Sequence, residues 1–248
     1  MIERQIAIAT SAGEMNTFIC HPERGGPHPV VLFYMDAPGI REELRDMARR
    51  LACVGYYVML PNLYYRRKVE ELGLFTADPA VATEIRKRMF EHMESLSIAG
   101  VMSDTDALLA FAGADAAASK GPIGCVGYCM SGQYAISAAA KYPERVAAAA
   151  SIYGTRLITD KPDSPHLAAP RVKADVYVAF AETDHYVPLD MIEPFRAAMA
   201  KGGVTAEIEL YLGVEHGFAF PQRPAFNKVA AERHWERLFA LFGRTLRR

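Results

Sequence analysis

The chain has 248 residues, 51% of them hydrophobic, with 28 basic side chains set against 29 acidic ones. Near-balanced charge gives no footing for a nucleic-acid or anionic-membrane partner, and no apolar run reaches the length of a membrane span. The start, Met1-Ile2-Glu3-Arg4-Gln5, is not a signal peptide, and Cys20, Cys53, Cys125 and Cys129 form neither a C-x-x-C pair nor a zinc-finger spacing with His, so a cytoplasmic protein without a metal is expected.

In chain order, residues 2–9 and 15–20 flank Ser11-Ala12-Gly13 and predict an opening antiparallel hairpin. After a Pro/Gly-rich loop from His21 to Pro29, Val30-Val31-Leu32-Phe33-Tyr34 is a continuous apolar run, the mark of a parallel strand covered on both faces. It ends in Met35-Asp36-Ala37-Pro38-Gly39, ahead of a helix with Leu44, Met47, Ala48 and Leu51 on one stripe. The strand Tyr56-Tyr57-Val58-Met59-Leu60 stops at Pro61-Asn62. Residues 62–96 are the least periodic part, with Tyr64, Tyr65, Phe75 and Phe90 among charges, and read as loop and short helices: part of a lid, or an ordinary surface excursion. A clear helix follows, carrying Ile98, Val101, Met102, Thr105, Leu108 and Leu109.

After Gly121-Pro122 comes the strand Ile123 to Val126, and later Arg145 to Tyr153, Val176 to Phe180 and Ala206 to Leu212. Helices at Met191 to Ala200 and around Trp235, Leu238, Phe239, Phe242 and Leu246 complete the series. Strands alternating with helices, without repeat or linker, predict a single α/β domain over residues 1–248 with a mostly parallel, doubly wound sheet.

Within that frame Val126-Gly127-Tyr128-Cys129-Met130-Ser131-Gly132 reads as strand, tight turn, helix, with Cys129 at the tip. This is the layout of a nucleophile elbow, in which small neighbours let strand and helix approach while the nucleophile points out. A thiol there meets a helix N-terminus, which favours the reactive thiolate. The competing account is a small buried hydrophobe, and the turn alone does not decide, because Ser131 stands where the pattern has its second glycine. Ligands in such sheets gather beyond the carboxyl ends of strands, where Asp184 and His216 also lie. Nucleophile, acid and histidine, each after a strand and in that order, give a candidate triad. Asp184 as a simple turn residue and Glu215 as a rival acid are the alternatives; His21, His28, His92 and His234 read as bystanders.

The elbow, Asp184 and His216-Gly217-Phe218, with Asp36-Ala37-Pro38-Gly39, Pro61-Asn62-Leu63-Tyr64 and Phe218-Ala219-Phe220-Pro221, resemble the dienelactone hydrolase family, α/β-hydrolases with a cysteine nucleophile. The resemblance implies a cofactor-free hydrolase of lactones or small esters, monomeric or homodimeric. It implies Cys129 as nucleophile, His216 as base, Asp184 as its orienting acid, and the Met130 and Ala37 N–H groups as an oxyanion hole. Asp36 stands where the family carries a thiol-activating glutamate. Phe220 occupies the place of an arginine that holds the carboxylate of dienelactone, which points to a less charged substrate, with Arg86 or Arg88 left as a second cation and Tyr153 and His166 as further pocket residues. Two other readings stay open: a broader carboxylesterase or thioesterase, and a non-catalytic thiol protein that binds or senses redox state.

Overall fold

The structure, a computed structural model, describes residues 1–73 and 79–247; the expectation placed on Phe75 lies outside them. Its sheet has eight strands in the order β1-β2-β4-β3-β5-β6-β7-β8. The hairpin of β1 (Ile2–Thr10) and β2 (Gly13–His21) is antiparallel, and β2 joins β4 (Tyr57–Pro61) antiparallel. From β4 through β3 (Val30–Tyr34), β5 (Ile123–Tyr128), β6 (Val146–Ile152), β7 (Asp175–Thr183) and β8 (Ala206–Glu215) every pairing is parallel. This is the α/β-hydrolase architecture that the sequence predicts.

All residues of β3 and β5 are buried, because helices cover both faces of the sheet. Successive side chains of a strand point to opposite faces. Phe33 packs on Tyr128, which bonds His234 of helix α6 (Lys228–Leu246), whereas Tyr34 donates to or accepts from Thr105 in helix α3 (Ile98–Ala114) at 2.9 Å. Helix α1 (Glu42–Cys53) buries Leu44, Met47, Ala48 and Leu51 and lies beside α6, where Arg50 sits 4.8 Å over the Trp235 ring. Helix α4 (Gly132–Lys141) is buried from Gly132 to Ala140, which its small residues allow, and α5 (Ile192–Lys201) buries Ile192, Phe195 and Met199.

Two differences from the sequence reading matter. Residues 79–94 form one helix, α2 (Pro79–Glu94), rather than short pieces; Met89, His92 and Met93 near its end are buried while most of its earlier turns are exposed, so no long apolar stripe marks it. Strand β8 continues three residues past Leu212 to Glu215, through an irregularity that interrupts its alternation. No single described helix is long and apolar enough to cross a membrane; α2 and α3 pass that test only as a pair bent by 76°.

The chain runs from β3 to β4 on one side and then crosses to β5 on the other. That reversal opens a crevice beyond the ends of β3 and β5. Tyr34 pairs with Gly127, so the loops that follow, carrying Asp36-Ala37 and Cys129, begin side by side.

Candidate active site

Cys129 has φ +53°, a left-handed conformation that costs a non-glycine residue about 1–3 kcal/mol and occurs mainly at functional turns. The turn closes tightly at two glycines. A Cβ on Gly127 would meet the Ser131 carbonyl oxygen at 2.0 Å, and one on Gly132 would meet the Cα of Gly154 at 2.4 Å. Gly132 therefore supplies the close strand-to-helix approach, and Ser131 is tolerated because its hydroxyl turns away to donate to the Met35 carbonyl. The Tyr64 hydroxyl donates to the Ala37 carbonyl at 2.9 Å and reaches Met130 Sδ at 3.3 Å. The elbow and the loop after β3 are thus tied together at Met130 and Ala37.

Asp184 and His216 are brought together by sheet register. Ala181 pairs with Tyr211 but Thr183 pairs with Glu215, so β8 accommodates two extra residues. Gly213 lies in this bulge at φ +69°, and its N–H donates to Glu182 at 2.7 Å. The next residues on the two strands are then neighbours, with His216 N–H donating to the Thr183 carbonyl at 3.0 Å. His216 Nδ1 lies 2.7 Å from Asp184 Oδ2, while Asp184 Oδ1 accepts the N–H groups of Tyr186 and Val187 at 2.8 and 3.2 Å. Asp184 is both the turn residue and the partner of the histidine; Glu215 and His185 are exposed.

The imidazole is flanked by Tyr153 and Tyr186, with ring centroids at 4.8 and 5.0 Å. Burial opposes its charge, but nearby Cys129 and the Asp184 hydrogen bond outweigh that and raise its pKa to about 9. Its Nε2 makes no hydrogen bond of good geometry among the described residues, although the thiol is close enough to act on its charge. Catalytic hydrogen bonds are often loose before substrate binds.

Cys129, Thr155, His216 and Arg223 share a cavity of about 40 Å³ with the apolar walls Pro38, Met89, Phe90 and Met93, and with Tyr186. The cation is not the one expected. Arg86 and Arg88 lie exposed on α2, away from this lining, and Phe220 is fully buried beneath it. Two successive turns, Phe220 N–H to Gly217 and Arg223 N–H to Phe220, fold the segment so that Arg223 returns to the cavity. Phe220 is its platform: the guanidinium groups of Arg223 and Arg41 lie 4.7 and 5.0 Å from its ring centroid. Matching by position along the chain pointed to Phe220; the turn-forming run from Gly217 to Arg223 was the signal for the arginine.

Asp36 is completely buried, and both its oxygens are engaged by Arg41, at 2.7 and 3.2 Å, with Arg223 adding a third bond. Glu43 completes this buried cluster, accepting from Arg41 and from the Gln222 N–H. Asp36 therefore anchors the cavity's arginine. His166 bonds Ser164 at 2.8 Å in its own turn and does not line the cavity. All four supposed bystander histidines, His21, His28, His92 and His234, are buried, and His234 Nε2 lies 3.1 Å from the Tyr128 hydroxyl. Among the described residues no group of three or more His, Cys, Asp or Glu is arranged to hold a metal ion.

A sequence model of the dienelactone hydrolase family matches residues 15–246. A protein of Methylorubrum extorquens named "Putative carboxymethylenebutenolidase" is 30% identical over 96% of this chain and 79% of its own length. One of the same name from a Synechocystis species is 27% identical over 91% of this chain and 89% of its own. Among solved structures, the "Putative Dienelactone Hydrolase" of Klebsiella pneumoniae superposes with a TM-score of 0.81 at 25% identity, covering 98% of both chains. A dienelactone hydrolase from Anabaena variabilis shares the fold with a TM-score of 0.66 at 17% identity, over 99% of this chain and 98% of that one.

Proposed function

The chain belongs to the dienelactone hydrolase family, and on that premise we propose that it cleaves a lactone or small carboxylic ester by acyl transfer to Cys129. The observation that carries this reading is the imidazole of His216, bonded to Asp184 and lining one cavity with a cysteine on a strained elbow. With the imidazole pKa at about 9, the ring is charged at neutral pH, and a cationic histidine beside a cysteine is the surrounding in which thiols become nucleophiles.

The thiolate sulfur attacks the carbonyl carbon, and the carbonyl electron pair moves onto oxygen. In this reading the oxyanion is received by the N–H groups of Met130 and Ala37, a role supported by Tyr64, whose hydroxyl bonds the Ala37 carbonyl and reaches Met130 Sδ and so links the two loops. Collapse breaks the bond to the leaving oxygen, which takes the proton from His216, leaving a thioester on Cys129. His216, now neutral, accepts a proton from water, whose oxygen displaces the sulfur and frees the acid.

Arg223 bears on substrate choice. A guanidinium in the cavity suits a carboxylate-bearing lactone such as dienelactone. The apolar walls Pro38, Met89, Phe90 and Met93, and the engagement of Arg223 with Asp36, favour the second reading, a broader esterase or thioesterase acting on less charged substrates. Relative rates on dienelactone and on neutral aryl esters separate the two. The triad is tested by alkylation: iodoacetamide should label Cys129 and stop turnover in parallel, and full labelling with turnover retained would remove Cys129 from the reaction.

A further inference from the structure

Native proteins rarely leave a buried polar atom without a partner, and those that do concentrate at sites built for a ligand or water. Of the buried side-chain polar atoms left unpartnered among the described residues, two belong to residues lining the Cys129 cavity: His216 Nε2 and Thr155 Oγ1. Thr155 is 6% exposed, and its own N–H donates to the Cys129 carbonyl at 3.0 Å, which fixes it relative to the nucleophile's backbone. The unpartnered Ser151 hydroxyl sits instead behind the contact of Gly132 with Gly154, and the unpartnered Tyr153 hydroxyl does not line the cavity.

A water site needs two or more polar partners and roughly 10–15 Å³ of room. Thr155 and His216 offer two unpartnered polar atoms, and the cavity that both residues line has about 40 Å³ of room between otherwise largely apolar walls. Resting on the acyl-enzyme reading above, we propose that Thr155 is a positioning residue that holds the hydrolytic water for His216 in the second half of the reaction. One hydrogen of that water goes to His216 Nε2 as its oxygen attacks the thioester carbon, and the other is accepted by Thr155 Oγ1. The carbon–sulfur bond breaks, its electron pair returns to Sγ, and the acid leaves with the imidazolium–thiolate pair restored. Acylation uses no water, so the threonine acts on deacylation alone.

The test is rapid-mixing kinetics with p-nitrophenyl acetate on the unmodified enzyme, Thr155→Val and Thr155→Ser. Thr155→Val should keep the rate of the p-nitrophenol burst within about twofold, while steady-state turnover falls about tenfold, the worth of one hydrogen bond. The acetyl adduct on Cys129 should accumulate in intact-mass spectra, and Thr155→Ser should recover most of the turnover. Circular dichroism checks that the valine variant folds; if it does not, Thr155→Ala yields the same two rates. Unchanged turnover, an equal loss of burst and turnover, or no recovery by serine overturns the role of Thr155 while leaving the acyl-enzyme intact. Turnover without burst or acetyl adduct in every variant overturns the acyl-enzyme, and this proposal with it.

Discussion

At the scale of single residues, His216 has two neighbours that hold its proton. Asp184 and Cys129 keep the imidazole charged up to about pH 9 against the opposing effect of burial. In the proposed reaction the ring protonates the leaving group below that pH; above it the proton is gone. The kcat/KM profile should therefore fall on its alkaline side near pH 9, a property of the coupled pair. In Asp184→Asn that limb should move toward neutral pH, and the rate should drop by about two to four orders of magnitude, as expected when the orienting acid of a triad loses its charge. A limb that stays in place would detach Asp184 from the imidazole's titration. Arg223→Gln should raise KM for dienelactone about tenfold and leave p-nitrophenyl acetate nearly unaffected; equal losses on both would make Arg223 structural, through Asp36.

At the scale of elements, the position of the histidine depends on the β8 bulge. A side chain with a Cβ at Gly213 costs about 1–2 kcal/mol at its positive φ. Gly213→Val should lower the melting temperature and, by disturbing the Thr183–Glu215 pairing, lower kcat more than a stability loss alone would; a variant with normal kcat would show that the bulge does not align His216. Helix α6 docks on β5 through His234, which burial holds down to about pKa 3 in the folded protein, against an ordinary value near 6.5. A depressed histidine pKa means that the unfolded chain binds the proton more readily. Its contribution is thus fully present above about pH 6.5 and is lost progressively as the pH falls toward 3. Melting temperatures should fall through that window, and less steeply in His234→Asn; parallel curves would contradict this. The elements themselves were legible wherever burial is one-sided or total, as in β3 and α1. The end of β8 was not, because a bulge breaks the period of two, and α2 was not, because its buried residues are confined to its last turns.

At the scale of the whole molecule, the three triad candidates could be read from sequence because each follows a strand and all parallel strands end at one rim. The sequence did not reveal Arg223, since two turns set its distance from His216 in space, nor Thr155, since only burial shows that its hydroxyl lacks a partner. We propose that the chain folds as one domain, so denaturant unfolding followed by fluorescence and by circular dichroism should coincide in one transition; separate midpoints would divide it. Topology brings together a sulfur from the end of β5, a carboxylate from the end of β7 and a ring from the end of β8, and the proposed hydrolysis depends on all three. The most direct measurement is turnover of p-nitrophenyl acetate and of dienelactone by Cys129→Ala, with circular dichroism to confirm the fold. A loss of at least about a thousandfold on whichever ester the parent enzyme hydrolyses is expected, since only oxyanion stabilisation and binding would remain; a folded Cys129→Ala protein with turnover close to the parent's would contradict the account.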